Sequence, residues 1–435
     1  MNKTFCGIKN ILPFLFFVLF FSCAGPSKLK KEVETLPNLS FLYNPSASLL
    51  HPEYKVYHDK ESTSKLMMRL FSDELLFSKM NSAIYIAKIK MEYKMYDFDG
   101  ENMGQLVDSS SVIFEIEIDE NQEEFMESIA INALPGNMYN LEIKMSDLLR
   151  NRSNLHYMIV DKRNKNSRQN YNMISAVTGK PLFRNYLDHE NRFQLISARN
   201  DLDSIHVKRF KNYDEIPSPT NAITSYQPTR KIPDTTISYK FNDTLTFSLK
   251  DKGIYHFQVE KDSLHGFTVF HFTGNFPKIK NVNEMIGPAS YLANSSDFNE
   301  LSLSENKKIA LDRFWLEMAD NPNRVRELIR VYYNRVKFAN YYFTSDKEGW
   351  RTDRGMVYIL YGPPKKLYKT MDSEKWVYYD KKKKQDINFI FKVRKNHFAG
   401  NDFLLEREEH LGHYWQSAVR SWRVGKIYIF GETYP

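Results

Sequence analysis

The sequence GWRTDRGMVYILYGPP, residues 349–364, says more about the fold of this chain than any other stretch. Trp350 is large enough to anchor a connector in an apolar core. Thr352 and Asp353 carry short polar side chains that commonly hydrogen-bond backbone N–H groups in turns. The start of the stretch therefore predicts a buried turn, with a ligand-binding corner formed by the same side chains as the alternative.

Arg354 and Gly355 complete this predicted turn. The apolar run at 356–361 has no polar face, and we interpret it as a strand buried on both sides. Gly362 and Pro363 then prevent that strand from continuing. Gly349, at the other end, suits the left-handed C-cap region of a preceding helix.

A helix is predicted directly before the stretch. Asn321 is a suitable N-cap and Pro322 a suitable first helical residue, and apolar residues from Val325 to Phe343 recur at helical spacing. A shorter helix is expected from a cap at Ser304 to Met318. Two helices with a short connection predict a helical hairpin.

Strands are predicted again after the stretch, at 375–379, 387–393 and 402–406, and together they form a small antiparallel sheet. A last helix is expected at 408–422. Lys381 to Lys384 connect two of the strands. We interpret this run as a solvated turn, and contact with phosphate or lipid headgroups is the alternative.

The region before residue 286 has a period of two, which is typical of half-buried strands. Short strands separated by polar turns predict antiparallel immunoglobulin-like sandwiches rather than alternating strands and helices. We divide the region into a β-sandwich domain at 41–198 and a second β-rich domain at 199–285. The fold class is thus mostly β, with an α+β domain at 286–435 formed by the hairpin and the small sheet.

The stretch 349–364 resembles the motif of the GWxTD-domain family. The resemblance also covers a Phe-Trp helix at 314–315, the sequence RVKFANYYF at 335–343 and an aromatic strand around Trp376. It implies that 286–435 is a GWxTD domain and that the chain is similar to Bacteroidetes lipoproteins, but it implies no activity. The motif residues are Gly349, Trp350, Thr352, Asp353, Arg354, Gly355, Gly362, Pro363 and Trp376.

Residues 1–22 are typical of a secretory signal, with Lys3 and Lys9 before an apolar run. Cys23 ends the run, and its surroundings resemble the lipobox at which bacterial lipoproteins are acylated. Residues 23–40 are polar and suit a lipidated tether. We therefore expect a lipid-anchored protein of the outer membrane, on its periplasmic side.

Composition limits the chemistry. The formal net charge of +8 is spread over 435 residues, so we expect no nucleic-acid partner. The chain has two cysteines, Cys6 and Cys23, which excludes a cysteine-based metal site beyond residue 23. His410 and His413 are three residues apart and could share one face of a helix. They lack a carboxylate partner in register, so they are weak evidence for a metal site. No nucleotide, hydrolase or metalloprotease motif is recognisable, so we predict no catalytic residues, metal or cofactor.

These observations favour a non-enzymatic protein that binds outer-membrane or periplasmic proteins through sheet edges and exposed aromatic residues. The alternative is a glycan-binding protein or hydrolase of the envelope. Its site would lie around Trp350, Asp353 and Trp376.

Overall fold

The computed structural model describes residues 36–47, 49–80, 84–98, 103–119, 122–187, 192–212, 215–222, 232–272 and 274–431. The predicted signal, Cys23 and most of the predicted tether lie outside these residues. Asn38–Pro435 form one compact unit, to which all the elements below belong.

The first part of the unit is a sandwich of two antiparallel sheets, as the period-two pattern predicts. Its strands are β1 (Glu53–Tyr57), β2 (Ser64–Phe71), β3 (Ser78–Lys79), β4 (Tyr85–Phe98), β5 (Met103–Glu117), β6 (Glu124–Ile131), β7 (Met138–Asp147) and β8 (Arg152–Asp161). One sheet has the order β1-β2-β6. In the other, β4 pairs with β3, β5 and β7, and β7 pairs with β8. Alternate residues of both sheets, such as Met68 and Met91, fill an aliphatic core.

A second pair of sheets follows. Its strands are β9 (Tyr171–Ser175), β10 (Tyr186–Leu187), β11 (Arg192–Ser197), β12 (Ser204–Phe210), β13 (Thr235–Lys240), β14 (Thr246–Ser248), β15 (Gly253–Gln258) and β16 (Phe267–His271). The sheets have the orders β14-β11-β9 and β10-β16-β15-β12-β13. Because Phe193 on β11 pairs with Phe247 on β14, the division drawn from the sequence at residue 198 cuts across one of these sheets.

Within the described residues, the C-terminal part contains six helices and one antiparallel sheet. The helices are α1 (Val282–Ala289), α2 (Ser295–Leu303), α3 (Lys307–Leu316), α4 (Pro322–Phe343), α5 (Asp353–Tyr361) and α6 (Leu411–Arg423). The sheet has the order β17 (Lys366–Lys369), β18 (Ser373–Asp380), β19 (Gln385–Val393) and β20 (Phe403–Leu405). The mostly β fold class with an α+β C-terminal part is confirmed. Asn321 caps α4 as predicted, whereas α3 is capped by Asn306 rather than Ser304.

The predicted strand at 356–361 is wrong, because these residues form the last two turns of α5. The Thr352 side chain accepts a hydrogen bond from the Gly355 N–H and so starts a helix rather than a turn before a strand. Every residue of α5 is buried, so the helix has no polar face. Periodicity alone cannot distinguish such a helix from a buried strand.

Candidate functional site

The motif begins with a short 3-10 turn, Gly349–Arg351, in front of α5. Gly349 is not the C-cap of α4, which is Thr344. Its role is close packing, because a Cβ at Gly349 would lie 2.0 Å from the carbonyl oxygen of Ala339 in α4. A Cβ at Gly355 would likewise lie 1.9 Å from the Gly349 carbonyl oxygen. The two glycines therefore allow α4, the turn and α5 to meet at backbone distance.

Trp350 fixes this turn in the core, as predicted from its size. It is 3% exposed, and its indole N–H donates to Glu348 Oε2 at 3.0 Å. Its backbone N–H donates to Asn340 Oδ1 at 3.0 Å, and its carbonyl accepts from the Tyr291 hydroxyl at 2.6 Å. The backbone N–H and carbonyl of Trp350 are therefore hydrogen-bonded to α4 and to the turn that follows α1.

Asp353 is buried and holds a distant strand. Its Oδ2 accepts from the Leu405 N–H of β20 at 2.8 Å, and its Oδ1 accepts from the Arg407 guanidinium at 2.6 Å. Two of the acceptor positions of the carboxylate are thus used inside the molecule. Asp353 thus joins α5 to the C-terminal sheet and does not face an open ligand-binding corner.

Arg354 lies at the centre of the C-terminal core and is 1% exposed. Its guanidinium donates to Glu374 Oε1 at 3.0 Å and to the Asn401 carbonyl at 3.0 Å. The guanidinium carbon lies 3.9 Å from the centroid of the Phe403 ring, and the Nε atom has no hydrogen-bond partner. Planar stacking and two charge-assisted contacts are the interactions that make arginine tolerable in an interior.

Glu374 is the acceptor around which this network is built, and it is fully buried. Lys369 Nζ lies 2.9 Å from its Oε1, and the Tyr43 hydroxyl donates to the same oxygen at 2.8 Å. The Trp376 indole N–H donates to Oε2 at 3.1 Å. Both oxygens of the carboxylate are therefore hydrogen-bonded.

The electrostatics of the network follow from this packing. Burial alone would raise the pKa of Glu374, but the charges of Lys369 and Arg354 lower it to about 2. Burial, together with the neighbouring Glu374 charge, raises the pKa of the Tyr43 hydroxyl to about 12. At neutral pH the carboxylate is thus charged and the tyrosine is a neutral donor.

Sequence reasoning missed Tyr43, Lys369 and Glu374 as members of the site. One signal was available for Glu374, since it shares a face of β18 with the buried Trp376. A carboxylate on the apolar face of a strand indicates a buried cationic partner.

A second ionic contact joins the C-terminal part to the first sandwich. Glu53 on β1 is 6% exposed. It accepts from Arg184 Nε at 2.7 Å and from the Tyr341 hydroxyl of α4 at 2.9 Å, and it also pairs with Arg69. Arg184 stacks on the Tyr341 ring, at 4.1 Å from its centroid. The long helix α4 is therefore tied to both sandwiches through buried polar groups.

A cleft at this junction has a volume of about 200 Å³. Burial lowers the pKa of Lys55, which faces it, to about 7, and the Lys55 ammonium donates to Asn172 Oδ1 and the Leu182 carbonyl. This volume is below the roughly 300–1,000 Å³ of small-molecule pockets, so the cleft does not suggest a ligand site. Its lining also includes Tyr54, Val56, Met158, Arg168, Gln169, Phe183, Arg184, Asn185, Gly266, Phe267, Thr268 and Phe398.

The structure brings together Trp350, Thr352, Asp353 and Arg354 with Trp376 around α5. Gly362 ends that helix with a φ of +82°, and Pro363 follows it. His410 lies 3.1 Å from Glu408, but no three histidine, cysteine, aspartate or glutamate side chains are grouped for a metal in the described part of the chain. Among the described residues, no helix is both long and apolar enough to cross a membrane.

Comparison with known proteins supports the motif assignment. The family model described as the GWxTD domain matches residues 253–424, so it includes the last two strands of the second sandwich. No curated protein matches the chain. A solved calcium-binding mutant of Bacteroides uniformis beta-glucuronidase 2 is similar to it at 11% identity with a TM-score of 0.19. The match covers 38% of this chain and only 16% of that one. The family match identifies residues 253–424 of this chain as a GWxTD domain, which contains the motif at 349–364.

Proposed function

We propose that this protein is a non-enzymatic, lipid-anchored interaction protein of the outer membrane, on the periplasmic side, that binds other envelope proteins through an open sheet edge. In this proposal the GWxTD motif has a structural role and holds the helices and the sheet of the C-terminal part together. Cys23 carries the lipid, and the first sandwich carries the binding surface.

The observation that carries the proposal is the edge strand β5. Its residues from Asp108 to Glu117 pair in continuous register with β4, and β5 pairs with no second strand among the described residues. Val107 and Ile113 on this strand are 47% and 55% exposed. A long edge with exposed apolar residues and no proline is a template for an added strand from another chain.

The burial of the motif supports an internal role for it. Trp350 and Trp376 are 3% and 0% exposed, so neither presents a ring on which a sugar could stack. Asp353 already accepts hydrogen bonds from Leu405 and Arg407. This arrangement does not favour the alternative of a glycan-binding or hydrolytic site around these residues.

The proposal is tested by affinity isolation of the tagged native protein from detergent-solubilised membranes. We expect stoichiometric envelope proteins to be recovered. The double variant Val107→Lys/Ile113→Lys should lower their recovery at least tenfold, because inward or edge-placed lysines oppose strand addition.

A matched control is Ile237→Lys, because Ile237 is 47% exposed on β13, which ends the order of its sheet. This variant should leave the recovery unchanged. Equal recovery with the β5 variant, or isolation of the protein alone, would contradict the proposal. The intact mass of the native protein checks the anchor separately, since acylation adds the mass of the fatty chains at Cys23.

A further inference from the structure

The backbone of the edge strand β5 shows which of its residues a partner strand would meet. The Ile118 N–H, one residue after the strand, donates to the Tyr85 carbonyl of β4 at 3.0 Å. Backbone groups of successive residues point to opposite sides of a strand, so the N–H and C=O groups of Ile113, Glu115 and Glu117 point to the open edge. A strand added there would exchange hydrogen bonds with these three residues.

The face of β5 that is turned to the core of the first sandwich is apolar. Phe114 and Ile116 pair with Ile89 and Ala87 of β4, both of which are fully buried. Phe114 itself is only half-buried and packs edge-on against the half-buried Phe125 of β6, with 5.8 Å between the ring centroids. Core-facing side chains of an added strand would lie beside this aromatic pair, and we therefore expect them to be apolar.

The outer face of β5 is acidic at its C-terminal end. The residues of this face are exposed, and they are Ser109, Ser111, Ile113, Glu115 and Glu117. Glu115 pairs with Lys88 of β4 at 2.7 Å. Glu117 lies opposite Ile86 and makes no ion pair with the described residues. One carboxylate next to the open edge is therefore without a cation in this part of the chain.

The charge of the outer face distinguishes between partner strands. The undescribed residues that adjoin β4 and β5 in the sequence, 81–83, 99–102 and 120–121, include no lysine or arginine. A basic side chain of an added strand, placed opposite Glu117, would meet an unpaired carboxylate. An acidic side chain there would be repelled, because like charges directly opposite each other destabilise a strand pair.

A second copy of this chain would not supply that basic residue through its own β5. The strand Met103–Glu117 contains no lysine or arginine, so no register between two copies of it places a cation opposite Glu117. Pairing of two copies would instead bring further carboxylates to the same face. The edge therefore fits a strand of another chemistry better than it fits itself.

We propose that the segment bound at β5 is an extended strand with apolar residues on one face and basic residues on the other. The described pairings of this sheet are antiparallel. In that orientation the partner has a basic residue opposite Glu117, apolar residues opposite Ile116 and Phe114, and an apolar residue opposite Ile113, four positions after the basic one. The inference rests on the proposed function, since it specifies the kind of partner that the same edge accepts.

The test measures the binding of two fluorescein-labelled peptides to the purified native protein by fluorescence anisotropy. The basic peptide TKVKVVVT follows the proposed pattern, and the acidic peptide TEVEVVVT differs from it only in charge. In both, the amides of the first, second and fourth valines are N-methylated. These amides would point away from β5, so the methyl groups stop the peptides from stacking on one another and leave the other edge free to pair.

We expect the basic peptide to bind at least tenfold more tightly than the acidic one, because two cross-strand charge pairs change sign between them. The difference should shrink as NaCl is raised from about 0.1 to 1 M, since the screening length falls from about 10 to 3 Å. The variant Glu115→Lys/Glu117→Lys should reverse the preference. The matched control Glu305→Lys/Glu317→Lys changes two exposed glutamates of the C-terminal part and should leave the preference unchanged.

A second pair of peptides, methylated instead on the amides of the two charged residues and the third valine, cannot pair with the edge and should not bind. Equal affinity for the basic and acidic peptides would overturn the inference, as would binding of neither peptide or self-association of the native protein that Ile113→Lys abolishes. Failure of the proposed function is seen separately, as equal recovery of envelope proteins with the Val107→Lys/Ile113→Lys variant.

Discussion

The first sandwich and the GWxTD domain are stabilised in different ways. The sandwich core is aliphatic and rich in methionine, with residues such as Ile89, Met91 and Met145 supplied by alternate strand positions. The C-terminal core is aromatic and encloses the Arg354–Glu374 ion pair. The first core therefore depends on apolar volume and on the alternating strand pattern, whereas the second depends on a few specific polar partners.

The largest expected effect is the loss of the buried guanidinium. Arg354→Met should lower the free energy of unfolding of the C-terminal domain by about 3–5 kcal/mol, because Glu374 loses one of its two cationic partners in the interior. Tryptophan fluorescence during urea unfolding measures this, since all five tryptophans lie between Trp315 and Trp422.

The matched control is Arg313→Met on α3, whose exposed pair with Glu300 should contribute no more than about 1 kcal/mol. If Arg313→Met and Arg354→Met lowered the free energy of unfolding by similar amounts, the distinction between the two cores would be lost.

The next effect concerns acid, which should affect the two regions in different pH ranges. Burial lowers the pKa of His58 in the first sandwich to about 4, so the folded sandwich loses stability as pH falls from about 6.5 to 4. The pKa of Glu374 is lowered to about 2, so its contribution of about 3 kcal/mol is complete above pH 4.5 and is lost between pH 4.5 and 2.

Hydrogen exchange of peptides from β4 and β18 at a series of pH values distinguishes the two regions. We expect β4 to lose protection first. Loss of protection in β18 at or above the pH at which β4 opens would contradict the assigned causes. His58→Gln should make the opening of β4 less dependent on pH.

The smallest effect is a volume-conserving change in the sandwich. Met91→Leu should cost less than about 1.5 kcal/mol, because the aliphatic core needs apolar volume rather than a specific group. Circular dichroism during urea unfolding measures it. A loss as large as that of Arg354→Met would show that the sandwich is also built on specific contacts.

The same contrast explains what the sequence could predict. Alternation along β4 and β7 gave the sandwich directly, since one face of each sheet is buried and the other is wet. The cap at Asn321 and the apolar positions of α4 predicted that helix equally well. These features are local, so a short window of residues contains them.

The features that sequence reasoning missed are long-range. Helix α5 is buried on every side, which removes the periodicity that would distinguish it from a strand. Tyr43 and Glu374 meet across more than 300 positions, and no local signal connects them. The motif was recognised, but the partners that explain its aspartate and arginine lie outside it.

The hydrogen bond between Tyr43 and Glu374 has a consequence for biosynthesis. Translation starts at the amino terminus, so Tyr43 is synthesised before both sandwiches and the long helix. Its hydrogen-bond partner Glu374 is not yet present during that time. The C-terminal core closes only when β18 has emerged and enclosed it. A chain truncated before this strand therefore contains complete sandwiches, but the segment around Tyr43 has no core to pack into. That segment then stays accessible to chaperones and proteases.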